Sequence, residues 1–88
     1  MMRQIETPEA FANVLHSLTH GYRTYRLNAL KFFKALYELT EVTSENACVK
    51  AAVMGVTDSM TEVLQNDDWT MEEFVNDLEG TLEYLEGV

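Results

Sequence analysis

The sequence predicts an all-α fold, a small bundle of three to four helices at about residues 8–20, 22–43, 45–65 and 71–86. Three observations carry that prediction. Apolar residues recur at i, i+3, i+4 and i+7 along each segment, the period of a helix with one buried face. Recognisable start and stop residues separate the segments. No stretch alternates with the period of two that a half-buried strand requires, and no Asn-Gly type hairpin turn occurs. With 88 residues and 47% hydrophobic content, the chain is one domain with enough apolar side chains for a core.

The first helix has a legible start. Thr7 can cap it, Pro8 suits a first turn whose N–H would be unpaired anyway, and Glu9 meets the positive helix end. Phe11, Val14, Leu15 and Leu18 then form one stripe, and Gly21 reads as the stop. The stretch from Tyr22 to Val42 contains no Gly or Pro and reads as one continuous helix of roughly 30 Å, at ~1.5 Å per residue. It carries Tyr22, Tyr25, Phe32, Phe33 and Tyr37, together with Arg23, Arg26, Lys31 and Lys34. Tyr25, Ala29, Phe32, Phe33, Leu36 and Leu39 make an apolar face that Leu30 and Tyr37 widen. A face this broad exceeds what one antiparallel neighbour covers, which points to two partner helices or a second copy of the chain.

Thr43 or Ser44 is expected to open the third helix, with Glu45 in its first turn. Val49, Val53, Val56, Met60 and Val63 recur inward, with Leu64 beside them. Ala51 and Gly55 are small enough to let another helix come close, and Gly55 before Val56 and Thr57 marks a place for a kink. Asn66, Asp67 and Asp68 form a turn. The last helix carries a capping box, Thr70-Met71-Glu72-Glu73, with Trp69 and Phe74 placed as a hydrophobic staple. Phe74, Val75, Leu78, Leu82 and Leu85 face inward, and Gly87 ends the helix.

Charge is divided along the chain. Residues 1–50 carry a net charge of +1, whereas residues 51–88 contain ten Asp or Glu and no Lys or Arg, within a total of −9. Phosphate would be repelled by the whole-molecule field, so direct nucleic-acid binding is disfavoured. Asp68, Glu72, Glu73, Asp77, Glu79 and Glu83, with Asp67 and Glu86, form an acidic face. Such a face either keeps a helix soluble or, as in small phage-type DNA mimics, imitates a phosphate backbone toward another protein. The twelve-residue calcium loop with its central Gly is absent. A basic-aromatic set, Tyr22, Arg23, Tyr25, Arg26 and Lys34, offers the opposite chemistry: rings that stack and guanidinium groups that pair with an anionic ligand such as a nucleotide.

No catalytic constellation is present: there is no nucleophile elbow and no phosphate-binding glycine loop. Cys48 is the single cysteine, which excludes an internal disulfide and fits a reducing compartment. His16 and His20 share one helix face, a spacing that can clasp a metal but lacks further ligands in any known pattern. Gly55 to Met60, with Asp58-Ser59-Met60, resembles the attachment motif of acyl carrier proteins, which implies a phosphopantetheine on Ser59. In that family the Ser opens a long second helix near mid-domain. Here 29 residues follow Ser59 and Asn66 ends the helix soon after, so the Asp-Ser pair reads as solvated residues on a helix.

The start, MMRQIETPEAF, lacks the apolar core of a secretion signal, and the apolar run Ala51–Val56 is far short of a membrane span. The expectation is a cytoplasmic, non-enzymatic protein without cofactor or metal. It acts on another protein or on itself as a homo-oligomer, as a regulator or inhibitor of phage or mobile-element type. The alternative is capture of an anionic small ligand at the basic-aromatic set.

Overall fold

Four helices build the structure, a computed structural model that describes residues 4–25, 28–66 and 68–87, with the backbone only at Tyr25. They are α1 (Pro8–Tyr25), α2 (Ala29–Thr40), α3 (Ala47–Gln65) and α4 (Met71–Glu86). The fold is a small all-α bundle, as the periodicity predicts. α1 packs against each of the other three helices, and α4 lies against α1 and α3. No helix among the described residues is long and apolar enough to cross a membrane.

The continuous helix expected from Tyr22 to Val42 does not exist. Its first turn belongs to α1, which runs through Gly21 to Tyr25, and a new helix starts at Ala29. Asn28 makes the break. Its backbone is non-helical, at φ −53° and ψ 131°, and its side-chain oxygen accepts the Leu30 N–H at 2.8 Å. Asn is among the strongest N-cap formers because its side chain replaces a missing intrahelical acceptor. Gly21, by contrast, ends a helix only where the chain turns left-handed, and here it simply continues the α1 spiral.

Further boundaries differ from the sequence reading. α3 is capped by Asn46, whose side-chain oxygen accepts from the N–H groups of Cys48 and Val49, so Thr43, Ser44 and Glu45 lie in the preceding loop. α3 also runs unbroken through Gly55. α2 ends at Thr40 rather than near residue 43, and the Glu41 N–H closes its last turn on the Glu38 carbonyl. The starts of α1 and α4 agree with expectation. The Thr7 hydroxyl accepts the Ala10 N–H at 3.1 Å, and the Thr70 hydroxyl accepts the Glu73 N–H at 3.2 Å. The Trp69 and Phe74 rings meet edge to face at 6.3 Å, which completes the staple.

The core is centred on aromatic rings rather than on one rod. Phe32 of α2 stacks on Tyr22 of α1 at 4.9 Å and meets Phe74 of α4 edge-on at 6.1 Å. Phe33 stacks on Phe74 at 5.1 Å and abuts Trp69. These rings link α2 to α4, whose backbones do not approach one another. Around them are buried Phe11, Leu15, Leu36, Leu39, Val49, Val56, Val75 and Leu78. Offset and edge-to-face pairs add about 0.5–1.5 kcal/mol each beyond area burial, so this cluster ties three helices together.

The segment before α1 is also fixed. Ile5 is buried, and its N–H donates to the Thr43 carbonyl at 3.2 Å. The Glu6 carboxylate accepts from the Glu45 N–H and the Ser44 hydroxyl. Residues 4–6 thereby strap the α2–α3 loop to the start of the bundle, a contact that local sequence gives no sign of.

Candidate interaction surface

The residues singled out from sequence fall on different parts of the bundle. Tyr22 is half-buried against Phe32, so its ring is a core element rather than an open stacking platform. Arg23, in the last turn of α1, forms an ion pair with Glu79 and donates a hydrogen bond to the Asn76 side chain at 3.1 Å. Lys34 is exposed on α2, a separate helix. Arg26, Asp67 and the Tyr25 side chain lie outside the described residues. The basic-aromatic set is therefore not one face of one helix. A shallow pocket of about 420 Å³ does bring Tyr22 and Arg23 together, but Glu72 of the acidic set lines it with Met71 and Val75. A carboxylate at the rim and a second one already bound to the guanidinium oppose an incoming anion. Both Arg23 and Glu79 are 40% or more exposed at the side chain, so Arg23→Ala is expected to cost less than about 1 kcal/mol in a urea melt.

The acidic face divides into two stripes on α4. Glu72, Asn76, Glu79 and Glu83 recur at i, i+4, i+7 and i+11, and the bonds from Arg23 place this stripe beside α1. Glu73, Asp77, Gly80 and Tyr84 recur at the same spacing on the α3 side. Asp68 stands apart in the α3–α4 turn, where its N–H donates to the Asn66 side chain. Apart from Glu79, these carboxylates have no Lys or Arg partner among the described residues. The fold therefore leaves most of the α4 charge to solvent.

The α3 side of α4 borders a groove of about 330 Å³ lined by Ala51 and Gly55 of α3 and by Asp77, Gly80, Thr81 and Tyr84 of α4. Its floor is the closest approach of the two helices: a Cβ placed on Gly55 would lie 2.8 Å from the Thr81 hydroxyl oxygen. Gly80 is the opposite case, with nothing within 4 Å of such an atom. At one end the Cys48 thiol, beside the Tyr84 phenol, holds the phenol pKa above the usual 10.0. Compared with known protein families, characterised proteins and solved structures, the chain matches none. The reading of this surface therefore rests on its own chemistry.

Several apolar side chains expected inside are outside. Leu30 and Leu64 are 78% and 83% exposed, and Tyr37 is more than half exposed. Ala29 is exposed as well. Phe32, Leu36 and Leu39 hold the inward positions expected of them, whereas Ala29, Leu30 and Tyr37 do not, so the face is narrower than expected. Ser59 departs in the other direction: it is 8% exposed, while Asp58 beside it is exposed. A carrier serine must present its hydroxyl to a modifying enzyme, and this one faces inward. His16 and His20 stack with ring centroids 6.0 Å apart. No group of three or more His, Cys, Asp or Glu able to hold a metal occurs among the described residues.

Proposed function

We propose that the protein acts by non-catalytic contact with another protein, as a small acidic regulator or inhibitor. The observation that carries this reading is the carboxylate surface of α4: Glu72, Glu73, Asp77 and Glu83 are exposed and have no Lys or Arg partner among the described residues. Ordinary solvation would be served by mixed charge, whereas α4 holds six Asp or Glu and no cation. One-sided charge of this kind steers a basic surface and raises its association rate. Exposed Leu30, Tyr37, Met54 and Leu64 supply apolar contact area beyond the charge. Self-association has a narrower basis, since Phe32 and Phe33 of α2 turn into its own core and two copies of charge −9 repel at low salt.

Capture from an extract of the source cell tests the proposal. The immobilised wild-type chain is expected to retain a discrete partner. A variant combining Glu72→Gln, Glu73→Gln, Asp77→Asn and Glu83→Gln is expected to lose that partner while keeping the wild-type circular-dichroism spectrum. Equal retention by both chains would exclude the acidic surface as the means of contact.

A further inference from the structure

We infer that the groove between α3 and α4 is the docking site for a basic amphipathic helix of another protein. This inference rests on the interaction reading above and gives it a place and a partner chemistry. Gly80 marks the place. A glycine inside a helix is less stable than alanine because it gives up more backbone freedom on folding. Gly55 repays that cost internally, since Thr81 occupies the space a side chain would need. Gly80 meets nothing in its own chain, yet it stands exposed in the middle of α4, on the wall of the groove. A bare backbone there suits close approach by an external helix, as small residues do at tight helix crossings.

What surrounds it sets the partner chemistry. Tyr84 and Met54 are large apolar side chains left 45% and 64% exposed. Tyr84 lines the groove, and Met54 follows Ala51 by three residues on the outward side of α3. Asp77 lies in the lining, Glu73 precedes it by one turn on the same stripe, and exposed Asp58 follows Gly55 by three residues. Lys50 is the one basic residue of α3, and α4 has none. An apolar floor under an acidic rim complements a helix that sets Lys or Arg beside a stripe of small and medium apolar side chains. A second copy of this chain fits less well, because it brings the same charge of −9 to the contact.

The probe is a synthetic helical peptide of about 18 residues built from Ala, Leu and Lys, with the lysines on one stripe. Amide chemical shifts of the labelled protein are followed during titration. The expected result is a set of shifts centred on Ala51, Met54, Gly55, Asp77, Gly80 and Tyr84. Gly80→Leu, which fills the groove without changing charge, is expected to weaken binding about tenfold or more, with no loss in melting temperature. Asp77→Asn is a second probe that adds no volume and is expected to weaken binding several-fold. Glu72→Gln, on the α1 side, is expected to change it less than about twofold. Shifts centred on Leu30 and Tyr37 or spread along Glu72 and Glu83, an unchanged affinity in Gly80→Leu, or no binding would each overturn the groove assignment. So would dimerisation of the free protein through these residues. The capture experiment above would still decide whether α4 contacts a partner elsewhere, so the two readings fail separately.

Discussion

Phe74→Ala is expected to remove a large part of the stability of the fold. Phe74 is 1% exposed and contacts three aromatic rings, those of Phe32, Phe33 and Trp69. Truncating a buried Phe costs about 3–5 kcal/mol, the sum of lost transfer energy and the cavity left behind. A chain of this size has about 4–13 kcal/mol of stability to lose, at the usual ~0.05–0.15 kcal/mol per residue. The rings also bridge α2 to α4 where no backbone contact supports them, so the cavity has little chance to close by collapse. A thermal melt should fall by roughly 12–40 °C, at about 4–8 °C per kcal/mol for small domains. Trp69→Ala, which removes a half-buried ring at the edge of the cluster, should cost less. A melt of Phe74→Ala within a few degrees of wild type would show that the ring cluster does not organise the core.

Gly55→Leu is expected to destabilise the α3–α4 crossing. A Cβ at Gly55 would approach the Thr81 hydroxyl to 2.8 Å, closer than such atoms tolerate, so Thr81 or the two helices must shift to admit a leucine. Overpacking of this kind costs about 1–3 kcal/mol. Gly55→Ala sets two effects against each other, the same clash and a gain of about 0.8–1 kcal/mol in helix propensity. The clash is specific to Thr81, which gives a clean test by double-mutant cycle. In a Thr81→Ala background, Gly55→Ala should become stabilising, whereas in the wild-type background it should be neutral or destabilising. Additive effects in urea unfolding would place the cost of the substitution somewhere other than the α3–α4 crossing.

What could be read from the sequence follows from how local each signal is. α4 was legible almost in full, since its Thr70 cap, staple and inward stripe lie within residues 69–87 and the structure realises them, without the return bond from Glu73 to the Thr70 N–H. The start of α1 was legible for the same reason. The α1–α2 boundary was not. Gly21 and Asn28 are both credible punctuation, and choosing between them depends on Tyr22 reaching Phe32 across the turn, a tertiary contact. That one error moved the supposed basic-aromatic face onto two helices. Ala29, Leu30 and Tyr37, also expected inward, do not enter the core. The acidic residues of α4 were identifiable, but their division into an α1-facing and an α3-facing stripe required knowing which neighbour lies on each side. Gly55 was recognised as a point of close approach. Gly80 gave no signal by itself, because only the structure shows that nothing in the chain fills the space above it.

The central claim is that this chain works by contact, through charge its own fold leaves unpaired. Light scattering of the purified chain mixed with source-cell extract, at low and at high salt, tests it most directly. The account predicts a discrete complex, heavier than the free chain, that forms near physiological salt and dissociates as ionic strength approaches about 1 M, where charges are screened within about 3 Å. A chain that keeps its own mass at every salt concentration would contradict it.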